Sequence, residues 1–246
     1  MKKVIQQYII LSLLLGLLGC DTSESNPENN TDDQSQAESD LDQGKYNAAN
    51  QKTGWWVTHY EIGAIKDSAY YEDGKLNGMF ISYSVNGVKL SEGKYLDGKP
   101  EGLWNYWNDK GILIEASNWK DGKPHGISKT YYDNGKLQSS VTWKDGKMEG
   151  TWFYYDKNGS MKEATNYSSG LKDGKAEEFY PDGTLKTEAI FKEELLHGTY
   201  KEFHPNGMLA GQVTYENNLM EGDYVQFDTL GNIIAIEHYV NGIMEE

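Results

Sequence analysis

Glycine returns every 24 residues in this chain, at Gly54, Gly78, Gly102, Gly126, Gly150, Gly174, Gly198 and Gly222, without one insertion or deletion. So strict a period means one small structural unit stacked on copies of itself, each contacting mainly its neighbours. A second register holds Gly63, Gly87, Gly111, Gly135, Gly159, Gly183, Gly207 and Gly231. A third runs through Gly74, Gly98, Gly122, Gly146 and Gly170, then becomes Glu194, Asn218 and Gly242. Asp-Gly-Lys at Asp73, Asp97, Asp121 and Asp145, and Asn-Gly at Asn86, Asn134, Asn158 and Asn206, favour the positive φ of tight hairpin turns.

Two turn clusters per period leave two segments of about five to eight residues, a normal strand length. They are rich in Trp, Tyr, Phe, Thr and Ile, as strands prefer, and nothing after Asn50 combines a helical period with caps. The expected fold class is all-β: an elongated antiparallel meander of about eight 24-residue β-hairpin repeats. Its roughly sixteen strands, at about 4.8 Å each, would extend some 75 Å. Aromatics keep the beat in two ranks, Tyr71 to Tyr239 and His59 to Phe227. In the second strand of a hairpin, Leu137, Val141 and Trp143 share one parity, and Gln138, Ser140 and Thr142 the other. One face is therefore expected to be the more buried, with aromatics supplying most of the burial.

The pattern Asp-Gly-Lys-x-x-Gly-x-Trp-x-x-Tyr/Trp, seen from Asp97 to Trp107 and from Asp145 to Tyr155, resembles the MORN repeat. It is more closely similar to the bacterial variant found in exported proteins and in chains labelled as antitoxin components. The resemblance covers about residues 51–246. It departs from the pattern at Glu194, where glycine is usual, and at Ala176, where an aromatic stands in the copy containing Trp104. The resemblance implies protein–protein contact or membrane association and no activity, and a shared fold does not fix function.

The start of the chain reads as an export signal over residues 1–19, with Lys2 and Lys3 followed by an apolar stretch from Val4 to Leu18. Leu17-Leu18-Gly19-Cys20 resembles the lipobox of bacterial lipoproteins, in which the cysteine is acylated after cleavage. Cys20 is the only cysteine, so the expectation is a lipid anchor there and a fold without disulfides. Residues 20–50 are expected to be the lipidated cysteine and a disordered acidic tether. Asp21 to Asp42 holds eight acidic residues, no basic ones and no aromatics. Residues 51–246 form the repeat domain. The implied place is the cell envelope, the outer membrane first, with the folded part outside the cytoplasm.

The net charge of −15 becomes −17 once Lys2 and Lys3 leave with the signal, which disfavours nucleic acid as a partner. No arginine occurs, so the usual bidentate clamp for phosphate or carboxylate is missing. His125 and His197 share a register but stand three repeats apart, roughly 29 Å, and cannot share a metal. Glu101, Glu149, Glu221 and Glu245 form a file in which members two repeats apart, such as Glu101 and Glu149, would be about 19 Å distant, too far for paired-carboxylate hydrolysis. The Asp-Gly turns lack the calcium-repeat pattern. No catalytic residue, metal ligand or cofactor is expected.

The local departure from uniformity is aromatic. Positions two and four after the first-register glycine share a face, and two copies place aromatics at both: Trp104 with Tyr106, and Trp152 with Tyr154. Such a file could anchor a protein partner or stack on sugar rings, or serve the packing of the sheet itself. The expected function is a non-catalytic protein-binding scaffold, tethered to the membrane through Cys20 and facing another envelope protein. The alternatives are a carbohydrate- or peptidoglycan-binding module using those four aromatics, and an antitoxin- or immunity-type protein.

Overall fold

The computed structural model describes residues 44–245. Cys20 and the acidic stretch that follows it lie outside the described residues. The strands are β1 (Lys45–Tyr46), β2 (Lys52–His59), β3 (Ile65–Glu72), β4 (Lys75–Tyr83), β5 (Lys89–Leu96), β6 (Lys99–Trp107), β7 (Leu113–Lys120), β8 (Lys123–Tyr131) and β9 (Leu137–Lys144). They continue as β10 (Lys147–Met148), β11 (Gly150–Tyr155), β12 (Met161–Ser168), β13 (Leu171–Phe179), β14 (Leu185–Lys192), β15 (Leu195–Phe203), β16 (Leu209–Glu216), β17 (Leu219–Phe227), β18 (Ile233–Val240) and β19 (Ile243–Glu245).

Each strand pairs antiparallel with its neighbour in sequence, giving one open meander, all β among the described residues. The nineteen strands exceed the expected sixteen for three local reasons. One strand is broken at Glu149 into β10 and β11, both of which pair with β9. The short β19 closes on β18. The sheet also begins at Lys45, earlier than the boundary expected near residue 51, with Lys45 opposite Thr53 and Tyr46 opposite Lys52. Two contacts draw this early segment in. The Tyr46 ring meets Trp56 edge-on at 5.0 Å, and Asn47 Oδ1 accepts the N–H groups of Ala49 and Gln51 to close the turn.

The two glycine registers make different turns. Asp73 and Gly74 both have positive φ (46° and 78°) and join Glu72 to Lys75, which is the two-residue type I′ hairpin. The Asn-Gly turns depart from that expectation. At Asn86-Gly87 only the glycine has positive φ, because the loop is longer: Ser84 N–H donates to Val88 O, and Gly87 N–H donates to Ser84 O. The type I′ turns also bond to one another along the edge of the sheet. Gly74 N–H donates to Lys52 O at 2.9 Å, Gly98 N–H to Leu76 O at 2.7 Å, and the series runs to Gly242 N–H on Met220 O at 2.9 Å. One backbone bond per repeat thus ties each hairpin to the next at this edge.

Inside the first strand of each hairpin the 24-period glycine, Gly102 for example (φ 71°), sits at a bulge. Residues that pair directly before it and after it are out of step with the preceding strand. This repeated bulge explains why glycine, and not another small residue, holds that register so strictly.

Candidate functional site

The two faces of the sheet are built differently. On the first, small residues of the second strands alternate with aromatics of the first strands. Trp56 stands opposite Ala69, which is opposite Phe80, which is opposite Gly93. Further along, Trp152 stands opposite Thr165, and Tyr200 opposite both Ala189 and Val213. Each large ring therefore has a shallow neighbour to lie on. This row is the core: Ala69, Val141, Ala189 and Val213 are buried, and Thr165 is 0% exposed. A sheet packed against no second layer buries its apolar area this way, ring over small side chain.

The four aromatics singled out from the sequence lie on this face. Trp104 is 3% exposed, with its ring centroid 5.9 Å from Phe80 and 5.0 Å from Tyr95. Its Nε1–H donates to Lys94 O at 3.0 Å, so its polar atom is also satisfied. Tyr106 stacks on Trp104 at 6.1 Å, and Tyr154 on Trp152 at 5.7 Å with a 14° interplanar angle. The structure thus joins these residues as two stacked pairs, in β6 and β11. Four strand steps, about 19 Å, separate the pairs. Trp104 is wholly inside the packing, whereas Tyr106, Trp152 and Tyr154 remain half-buried and reachable. Burial first, then Glu115 and Tyr95, raises the Tyr106 hydroxyl far above the ordinary tyrosine range, so it stays a neutral donor. Tyr167 on the same face is pushed up to about 12, by burial and then by Glu163 and Glu194.

Three members of the acidic file and three of the histidines have structural partners, whereas His197 Nδ1 is buried without one. Glu101 accepts the backbone N–H of Asp121, Glu149 that of Ser169, and Glu221 that of Asn241, each at 2.9 Å. These carboxylates hold the first residue of the next type I′ turn. His125 does the same through Nδ1 on Asp145 N–H at 3.4 Å. His204 Nε2 lies 2.9 Å from Phe227 O, and His238 Nδ1 is 2.6 Å from Asp223 Oδ1. Among the described residues, no group of three or more His, Cys, Asp or Glu side chains is placed to hold a metal ion.

At the opposite edge, Tyr60, Tyr132 and Tyr180 reach across to the next repeat. Their hydroxyls donate to Tyr83 O, Tyr155 O and Phe203 O at 2.7–2.8 Å. The sequence carries this signal as a tyrosine at one register of the longer loop, a register the aromatic ranks pass over.

The second face carries the side chains of opposite parity. Its first-strand row reads Trp55, Met79, Leu103 and Ile127 in the first four hairpins, then Thr151, Lys175, Thr199 and Asp223. Trp55, Leu103 and Ile127 are 48%, 51% and 51% exposed. Across β13–β15 the face carries ion pairs: Lys175 Nζ lies 2.6 Å from Glu177 and 3.6 Å from Glu188, which also takes Lys201 at 3.2 Å. In the last hairpin it carries Ile234 and Ile236, 64% and 58% exposed.

The unit that recurs is one first strand, the longer loop and one second strand, bounded by type I′ turns. Residues 124–145, 148–169, 172–193 and 196–217 coincide with four such units. Those four hairpins match the MORN repeat variant. The matched units thus run from β8 to β16, and hairpins of the same register continue the sheet on both sides of them. No curated protein matches the chain. Among solved structures, S. aureus TarM in complex with fondaparinux, alpha-GlcNAc-glycerol and UDP is 14% identical over 48% of this chain, with a TM-score of 0.22. The TcdB2-TccC3-Cdc42 structure is 13% identical over 80% of this chain, with a TM-score of 0.21. The chain spans 20% and 15% of those two chains respectively.

Proposed function

We propose that this protein is a non-catalytic protein-binding scaffold of the cell envelope, held at a membrane by lipid on Cys20. The observation that carries the binding part is the continuity of one sheet whose interior rows repeat while its exposed rows change from hairpin to hairpin. Sheets of stacked units use such variable exposed rows as extended contact surfaces. The anchor rests on the sequence around Cys20, and the partner is another envelope protein.

The experiment is proximity labelling in intact cells that make the protein, comparing the natural chain with Cys20→Ala. The expected result is acyl incorporation and membrane fractionation for the natural chain only, and enrichment of a defined envelope protein that is lost in the variant. Recovery of both proteins in the soluble fraction, with no acylation, would overturn the anchor. Enrichment of no protein would overturn the scaffold.

The Trp152–Tyr154 pair favours a second reading, carbohydrate or peptidoglycan binding, because two half-buried aromatic rings side by side on one face offer apolar and hydroxyl contacts to a sugar. Titration with soluble cell-wall saccharides separates the two. Quenching of tryptophan fluorescence supports the glycan reading, and an unchanged spectrum supports the protein partner.

A further inference from the structure

Trp55, Met79, Leu103 and Ile127 stand on β2, β4, β6 and β8, one per hairpin, on the face opposite the packed aromatics. Successive members are two strand spacings apart, about 9.6 Å, so the file runs roughly 29 Å across the strands. Trp55 packs edge-on against Tyr70, but about half of the surface of Trp55, Leu103 and Ile127 is left uncovered by the sheet, and contiguous exposed apolar rows of this kind mark contact surfaces. The first-strand file ends at Ile127 and gives way to Thr151, Lys175, Thr199 and Asp223, and the exposed Ile234 and Ile236 of the last hairpin stand on a second strand apart from it.

Charge narrows the occupant. Lys94, Lys120, Lys123, Lys129 and Lys144 share this face, flank the Leu103–Ile127 end of the file and are all exposed. Lys120 is directly opposite Lys123, a like-charge pair left unrelieved by its own strand partner. Glu92 and Glu101 also stand on this face, Glu101 opposite Lys94, and the five lysines leave the border net basic on a chain whose net charge is −15. Spacing narrows it further. An extended strand repeats a side chain on one face about every 6.6 Å, which falls out of step with the file. An α-helix brings an apolar residue back to one line every heptad, about 10.5 Å, close to the step of the file. Polyproline recognition uses aromatic-lined grooves, and this row is mainly aliphatic on an open face.

We infer that the first four hairpins dock an acidic amphipathic α-helix of a protein partner, laid across the strands with one apolar residue per hairpin on the Trp55–Ile127 file. This rests on the scaffold reading and names its contact surface. A helix of about 19 residues, at about 1.5 Å per residue, would cover the file.

The test is site-specific photo-crosslinking of the full chain in its own cells, with benzoylphenylalanine in place of Met79. The same group replaces Thr58 on the aromatic face and Thr199 on the later hairpins in two control proteins. The expected result is a discrete protein adduct from position 79 alone, with the crosslinked peptide acidic and carrying apolar residues at heptad spacing. Adding Leu103→Glu and Ile127→Glu should reduce that adduct at least tenfold while circular dichroism is unchanged, since both side chains are exposed. A protein adduct from position 58 or 199 but not 79 overturns this surface and leaves the scaffold standing. An adduct to lipid at position 79 overturns the helix in favour of a membrane contact. No adduct at any position overturns both the surface and the scaffold.

Discussion

The indole of Trp104 lies on Gly93: a Cβ placed on that glycine would stand 2.1 Å from Trp104 Cδ2. Gly93 does not need positive φ, so its smallness here serves the ring and not the backbone. Gly93→Ala should therefore cost about 1–3 kcal/mol by overpacking, read as a lower urea midpoint. Combining it with Trp104→Phe should cost less than the two single changes added together, because the smaller ring yields the space. Strict additivity would mean that the ring is not seated there.

Trp104→Ala should cost about 3–5 kcal/mol, as expected for emptying a buried tryptophan site. Leu103→Ala, one residue away on the exposed face, should change stability by less than about 0.5 kcal/mol. The pair is a direct measurement of which face is the core. Similar losses at both positions would show that the two faces are covered alike.

Glu194→Gly should stabilise the protein by about 0.5–1 kcal/mol. Glu193 and Glu194 hold a type I′ turn at φ 48° and 73°, where an L side chain is strained and glycine is not. The gain is limited because Glu194 Oε1 accepts the Lys172 N–H at 2.6 Å, a bond the variant loses. Asn218→Gly should gain less, since asparagine tolerates the left-handed region. A fall in melting temperature for Glu194→Gly would mean that the carboxylate contact outweighs the strain.

Alkaline pH should unfold the sheet. Tyr167 has its folded pKa raised to about 12, and Tyr106 and Tyr200 are raised by burial first. The unfolded chain loses these protons near pH 10, before the folded chain does, so stability is intact below pH 10 and declines as pH climbs toward 12. Denaturation followed at pH 9, 10, 11 and 12 should show that decline, and Tyr167→Phe should make it shallower. A flat profile across this range would exclude buried tyrosines as its cause.

Tyr132→Phe should cost about 1 kcal/mol by removing the bond from its hydroxyl to Tyr155 O at 2.7 Å, leaving that carbonyl without its link to the preceding repeat. Amide exchange should quicken in the loops around Tyr132 and Tyr155 and leave the type I′ edge unchanged, because that edge is tied by backbone bonds. Uniform quickening along the whole sheet would show that the repeats open together.

The amino-acid sequence by itself determined the period, the hairpin positions and the parity of the faces. These depend on turn chemistry at Asp73-Gly74 or Asn86-Gly87 and on alternation within one strand, interactions that span a few residues. It did not distinguish Trp104 from Trp152, two tryptophans at the same register, of which the first is 3% exposed and the second half-buried. Only the tertiary structure decided that, because a ring is buried by what stands on the adjacent strand. Trp104 has Gly93 beneath it and Phe80 and Tyr95 around it, whereas Trp152 stands opposite Thr165 and has only Tyr154 stacked on it. The same holds for the turns: Asn-Gly reads alike in any tight hairpin, yet the bulges flanking each loop lengthened it and left only the glycine in the left-handed region. Register across strands is a cooperative property of the sheet, and it sorts these aromatics into those that build the face and those that a partner could reach.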